Sequence, residues 1–202
     1  MRKAKVAVLG GSFDPVHLGH LFLLHCAISM TDYRRFLIIP AKVSNFKQDS
    51  RPQASDADRL NMLHLSLEDF RDLYPEDSGA EIEISTMELE RGGVSYTSDT
   101  IRILKAKLDS DRIGLVMGDD HISGLTRWHD FDYLKQNVEF LICRRESSTS
   151  EWNIPEELCF KALIPSDVAP QSSSAIRTDL EGNLDYLSRR VREYVKANNL
   201  YN

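Results

Sequence analysis

The chain has 202 residues, of which 42% are hydrophobic and 28% charged, with a net charge of −6 at pH 7. A chain of that size and balance forms one globular domain that buries roughly 70% of its unfolded surface, which excludes disorder and the need for a structural staple. Cys26, Cys143 and Cys159 are scattered, which excludes a disulfide framework or zinc ribbon and fits a reducing cytosol; the acidic balance argues against coating a nucleic-acid polymer, and no apolar run is long enough to span a membrane.

Lys5–Leu9 is a short Val-rich run stopped by Gly10-Gly11 and reads as a buried strand. The apolar stretch from Met1 ends at Gly10, too soon for a signal peptide. Leu18–Met30 reads as a mostly buried helix and Arg35–Ile39 as a second strand stopped by Pro40. Ala41–Ala54 is polar and aperiodic, a loop long enough to have a function. Ser55, with Asp58 three residues on, opens a helix through a variant capping box, and Leu60, Leu63, Leu67 and Phe70 follow at helical spacing. Glu81–Ser85 alternates charged and apolar residues, as a half-exposed strand does. Glu90–Tyr96 reads as a Gly-Gly loop, and Thr97 or Ser98 caps a helix running to about Leu108. Ile113–Met117, Val138–Cys143 and Cys159–Ile164 are three more strands, and Ser-rich Glu146–Glu157 and Pro165–Ser173 are connecting loops. Ser174–Leu180 and Leu184–Asn198 close the chain as helices, the second with Leu187, Val191 and Val195 on one face.

Strand and helix alternate, and the strands are nearly continuous apolar runs. That pattern predicts an α/β fold: a Rossmann-like open parallel sheet with helices on both faces. Ligands of such sheets sit at the carboxyl ends of the strands, so the residues after Leu9, Ile39, Met117 and Ile164 are the candidates for chemistry.

After the first strand comes Gly10-Gly11-Ser12-Phe13-Asp14-Pro15-Val16-His17-Leu18-Gly19-His20. It is neither a dinucleotide fingerprint nor a P-loop. Gly10 and Gly11 predict a sharp turn with close backbone approach to a ligand. His17 and His20 project from one side of a first helical turn, where free N–H groups and the helix dipole favour an anion. A lone histidine there is usually a cap or a packing residue; two flanking Gly19 point to phosphate. Zinc is disfavoured, because two ligands with no third nearby do not make a site.

This string resembles the signature of the HxGH nucleotidyltransferases. Ser95-Tyr96-Thr97-Ser98-Asp99-Thr100 is similar to the SYTxxT segment of the bacterial nicotinate-mononucleotide adenylyltransferases within that superfamily. Gly118-Asp119-Asp120, with Trp128 eight residues on, resembles that group's GxD…W segment, and Ser172–Arg177 its SSTxIR. The resemblance implies one nucleotidyltransferase domain over residues 1–202, with a helical part at about 174–200, that joins ATP to nicotinate mononucleotide in the cytoplasm. It also implies Mg²⁺ carried by the ATP phosphates, no metal site of the protein's own, no nucleic-acid polymer and no membrane, and leaves the oligomeric state open. It gives catalysis to His17 and His20, and ATP binding to Gly10, Gly11, Ser12, Phe13, Gly118, Asp120, Ser173, Ser174 and Arg177. Tyr96, Thr97, Trp128 and Lys47 are implied on the mononucleotide side. The chain departs from the pattern at Val43–Lys47, which lacks the usual prolines and histidine, and at His129, where Tyr often follows the Trp.

Each position also has a plainer reading. Asp120 accepts from a ribose hydroxyl or caps the next segment. Trp128 is a stacking platform for a pyridine ring or a core residue. Tyr96-Thr97 holds a carboxylate or caps its helix, with the cap favoured by the residues alone. Ser172–Arg177 is a triphosphate clamp or a serine cap beside a solvated Arg. The alternatives for the whole chain are a phosphopantetheine adenylyltransferase, which lacks the two middle motifs, and a non-catalytic nucleotide sensor.

Overall fold

The apolar runs make the centre of a sheet, and its order fixes the site. A computed structural model describes residues 5–44, 52–108, 113–144, 152–165 and 172–201. In chain order the elements are β1 (Val6–Gly11), α1 (Leu18–Ser29), β2 (Arg35–Pro40), β3 (Val43–Ser44), α2 (Asp56–Leu73), β4 (Glu81–Ile84), α3 (Met87–Arg91) and β5 (Val94–Ser95). Then follow α4 (Thr97–Leu108), β6 (Ile113–Gly118), α5 (Phe131–Asn137), β7 (Val138–Cys143), β8 (Phe160–Leu163), α6 (Ser173–Thr178) and α7 (Arg189–Ala197). Short 3-10 segments occupy Pro75–Gly79, Asp119–Arg127 and Glu181–Tyr186.

Six strands form one sheet in the order β4-β2-β1-β6-β7-β8, and every pair is parallel. Sequence order runs one way from β1 through β2 to β4 and the other way from β6 to β8. The reversal lies between β1 and β6, where an open sheet leaves a crevice at the carboxyl ends of its strands. Those ends are Gly10-Gly11 and Met117-Gly118.

Side chains alternate between two apolar layers, as the pleat requires. Ala7, Leu9, Phe36, Ile38, Val116 and Leu141 face the layer made with α1, α2, α6 and α7. Val6, Val8, Leu37, Ile39, Leu115 and Phe140 face the layer made with α4, α5 and the Asp119–Arg127 segment. Both faces of the sheet are covered, as the near-continuous apolar strands predicted. The outer strands are the exception: Glu81 and Glu83 of β4 are exposed between half-buried isoleucines, as their alternation foretold, and β8 is exposed over three of its four residues.

Local signals explain the main helices. Ser55 accepts from the Asp58 amide at 3.1 Å and donates to its carboxylate at 2.6 Å, the expected capping box with Asp in the third position. α7 docks on α2 through Arg190, whose guanidinium donates to Asp69 and Asp72 and whose amide donates to Asp69.

Several boundaries differ from the sequence reading. The span Leu184–Asn198 is not one helix, because Leu187 and Ser188 are extended (ψ 141° and 160°) and Ser188 caps α7. Leu187, Val191 and Val195 nevertheless share one buried face. The stretches read as loops hold β3 and β5, which pair as a separate parallel ribbon, Val43 opposite Val94 and Ser44 opposite Ser95. The three cysteines are all free, and no helix among the described residues is long and apolar enough to cross a membrane.

Candidate active site

A cavity of about 320 Å³ opens at the β1/β6 crevice. Its walls bring together Gly10, Gly11, Ser12, Phe13, His17 and His20 after β1, Gly118 and Asp120 after β6, Thr97 at the start of α4, Trp128, and Ser173 and Ser174 of α6. Twelve of the fifteen residues singled out from the sequence thus line one space, although they come from four separate stretches of chain.

The sharp turn after β1 is not made by the glycines. Gly10 and Gly11 belong to the strand itself; the left-handed residue is Phe13, at φ 48°, followed by a cis Asp14–Pro15 bond. The glycines serve space instead. A Cβ on Gly10 would meet nothing within 4 Å, so the bare backbone faces the open cavity, and one on Gly11 would come within 3.1 Å of the Phe13 ring. Phe13 can therefore fold back under the loop, 1% exposed, and its ring lies 4.9 Å from that of His20.

α1 begins at Leu18, with His17 as its N-cap. The two imidazoles lie 3.8 Å apart, centroid to centroid. The backbone N–H of His17 donates to Nδ1 of His20 at 3.2 Å. An N–H can only donate, so Nδ1 of His20 carries a lone pair and its proton sits on Nε2. His20 is thereby fixed as a donor at the ring atom away from its own backbone.

The turn is braced from three sides. Arg59 of α2, wholly buried, donates to the carbonyls of Ser12 (2.7 Å) and Ala41 (2.8 Å) and to Asp56 (2.7 Å). Ser173 of α6 donates to the Pro15 carbonyl at 3.0 Å. The Asp14 carboxylate, 2% exposed, accepts from the amides of Gln53 and Ala54. Arg59 escaped the sequence reading, though it left a signal: it falls on the apolar stripe of its helix with Met62, Leu63, Ser66 and Phe70, where an unpartnered charge would not be tolerated.

On the opposite wall Trp128 is half-buried, with the His121 ring edge-on to it at 5.9 Å and 81°. Ser44, Ser95, Thr97 and Thr100 contribute hydroxyls, with Glu88 among them. Glu88 accepts from Thr100 at 2.5 Å. Its burial pushes the carboxyl up from the usual range, against the opposing pull of hydrogen bonds from Thr100 and Ser95. Among the lining residues the groups able to carry positive charge are His17, His20 and His121.

Three expected residues are not in the wall. Tyr96 stacks its ring on His129 at 4.2 Å, and its carbonyl accepts from the Asp99 and Thr100 amides, which is the helix-opening role that its residues favoured. Arg177 lies against the turn, where its guanidinium donates to the Asp14 carbonyl at 2.5 Å and approaches Ser174 at 3.4 Å. Lys47 lies outside the described residues. Trp152, read as a packing anchor, donates to Asp119 at 3.3 Å and lies under Arg144. No group of three or more His, Cys, Asp or Glu among the described residues is arranged to hold a metal ion.

Comparison with known proteins agrees with this geometry. The cytidylyltransferase-like family model matches residues 8–179. A Listeria innocua protein named "Probable nicotinate-nucleotide adenylyltransferase" is 35% identical over 199 residues, covering 98% of each chain. A Treponema pallidum protein of the same name is 32% identical over 211 residues, again covering 98% of each. The structure of Plasmodium falciparum nicotinic acid mononucleotide adenylyltransferase complexed with NaAD superposes with a TM-score of 0.80 at 18% identity, covering 98% of this chain and 97% of that one. The chain is a cytidylyltransferase-like nucleotidyltransferase and belongs, within that fold, to the nicotinate-nucleotide adenylyltransferase family.

Proposed function

We infer that this chain joins ATP to nicotinate mononucleotide, giving nicotinate adenine dinucleotide and pyrophosphate, as a cytoplasmic step of NAD biosynthesis. The observation that carries this is one cavity holding a paired imidazole site at one wall and an indole face at the other. It lies in a chain alike from end to end to proteins named for that activity. Residues 1–202 act in this scheme as one nucleotidyltransferase domain.

An oxygen of the mononucleotide 5′-phosphate attacks the α-phosphorus of ATP. The bond from the α-phosphorus to the oxygen bridging to the β-phosphorus breaks, and pyrophosphate leaves with that electron pair. The nucleophile is already an anion, so positioning and charge stabilisation do most of the work. His17 and His20 bind the phosphates and the charge developing on the α-phosphate, with the Nε2 proton of His20 available to donate. The bare backbone of Gly10 lets the nucleotide lie against β1. Asp120 accepts from a ribose hydroxyl, and the hydroxyls of Ser173 and Ser174 meet the triphosphate together with Arg177. Trp128 stacks on the pyridine ring, while Thr97 and its amide face the carboxylate. Lys47 belongs to the mononucleotide side on the resemblance alone. ATP enters as its Mg²⁺ complex; Mg²⁺ keeps most of its waters and needs few protein ligands, and Glu88 and Asp120 are the lining carboxylates.

The test is pyrophosphate release from MgATP with nicotinate mononucleotide, nicotinamide mononucleotide and phosphopantetheine in parallel. Turnover chiefly with the nicotinate form is expected. Turnover with phosphopantetheine would overturn the acceptor, and ATP binding without release would leave a nucleotide sensor.

A further inference from the structure

Asp14 is the knot of the phosphate turn. It follows left-handed Phe13 and precedes His17 by three residues. Its backbone carbonyl takes Arg177, its Oδ2 takes the Gln53 amide, and its Oδ1 takes the Ala54 amide at 3.0 Å. Oδ1 has one further partner, and it comes from 187 residues away: the hydroxyl of Tyr201, at 2.9 Å.

The chain goes out of its way to make that contact. After α7 it passes through Asn199 at φ 50° and Tyr201 at φ 67°, two left-handed residues that both carry a Cβ. Side chains avoid that conformation unless their surroundings hold them in it. Here the double reversal turns the phenol inward, its ring against the apolar layer around α1 and α2 and its oxygen on Asp14.

We propose that Tyr201 is a positioning residue for ATP, acting through Asp14 on the phosphate turn and on Arg177. Burial, then the negative charge of Asp14 and the hydrogen bond to it, push the phenol well above its ordinary range, so the hydroxyl stays a donor at any working pH. With Tyr201 in place Oδ1 is satisfied, and the guanidinium of Arg177 stands 3.7 Å from Oδ2. Without the hydroxyl, Asp14 has one acceptor position unfilled beside a mobile cation. The carboxylate then draws Arg177 to itself, the guanidinium is less available to the triphosphate, and the turn carrying His17 loses a fixed corner. The role depends on the reaction inferred above only in naming ATP as the ligand.

Tyr201→Phe removes one oxygen and keeps the ring. The matched control is Tyr194→Phe on α7, whose hydroxyl likewise meets a carboxylate, Asp58 at 2.9 Å, and accepts from Asn61 at 2.9 Å, away from the cavity. Affinity for a non-hydrolysable ATP analogue is measured by calorimetry, without acceptor, together with melting temperature and steady-state kinetics. Tyr201→Phe is expected to weaken the analogue and raise the KM for ATP by about 5- to 20-fold, the scale of one hydrogen bond to a charged group. The KM for the mononucleotide should stay within about 2-fold, and Tyr194→Phe should leave both nucleotide constants alone. Unchanged ATP affinity in folded Tyr201→Phe, or equal weakening in Tyr194→Phe, overturns the proposal. The analogue's shift of the melting temperature gives the same answer should Tyr201→Phe prove less stable. Because binding is read without turnover, a wild-type protein inactive on nicotinate mononucleotide would sink the assigned acceptor and leave this test intact.

Discussion

Replacing Arg59 by Met tests how the cavity is held open. The guanidinium is wholly buried and joins three pieces of chain: the phosphate turn at Ser12, the exit of β2 at Ala41, and the first turn of α2 at Asp56. Met fills a similar volume without donors. Each hydrogen bond to a charged group contributes about 1.5–3 kcal/mol, so the loss of three has a gross cost of roughly 4–9 kcal/mol. Against that stands the desolvation of the guanidinium, several kcal/mol that the Met variant no longer bears. Asp56 keeps Lys42 as a partner, so no carboxylate is left without its counter-charge. The expected net loss is about 2–4 kcal/mol, read by urea unfolding, or roughly 4–16 °C in Tm for a chain of this length. ATP-analogue affinity should fall with it, because the Ser12 carbonyl is the anchor of the turn. Arg59→Lys should lie between the two, since one ammonium cannot span both carbonyls with a fork's geometry. A loss below about 1 kcal/mol, or a gain, would show that desolvation balances the hydrogen bonds and that the turn is shaped by packing alone.

The remaining expectations concern the cavity walls. His17→Ala and His20→Ala should each cut kcat/KM by about 10²–10³ with Tm nearly unchanged, the scale of losing one preorganised donor; near-wild-type turnover in either would remove the imidazoles from the mechanism. Trp128→Ala should raise the KM for nicotinate mononucleotide by about tenfold, the value of one stacked ring, and spare that for ATP; the reverse pattern would put the adenine on the indole. Glu88→Gln tests the buried carboxyl. Its folded pKa lies above the unfolded value, so the native state holds the proton more tightly and Glu88 weakens the fold as pH rises from the ordinary Glu range, about 4.3, through the raised value. The stability of Glu88→Gln relative to wild type should therefore climb over that interval in urea titrations and level off above it; a flat difference would mean that Thr100 and Ser95 fully offset burial.

What could be read from the sequence follows from the range of the forces involved. The strands β1, β2, β6 and β7 were legible because both faces of the sheet are covered, which makes each strand apolar throughout. The Ser55 cap and the His17/His20 pair were legible because their partners lie within one helical turn. The ribbon of β3 and β5 was not, since two residues per strand show no period, and neither was the Asp119–Arg127 segment that carries Asp120 and His121 into the cavity. Gly10-Gly11 was read as the bend because glycine permits one, yet Phe13 makes it; permission to turn is a property of a residue, while the turn itself is set by what the next side chain can bury. Arg177 shows the limit most clearly. A guanidinium one turn into a helix behind three serines has the same local sequence whether it faces solvent, phosphate or protein. Only the fold brings Asp14 to it, and only a reversal 24 residues further along brings the Tyr201 hydroxyl to Asp14. The sequence therefore names the groups that touch the nucleotide better than those that hold them, because ligand-touching groups cluster in short motifs at strand ends, and their supports are drawn from wherever the chain happens to pass.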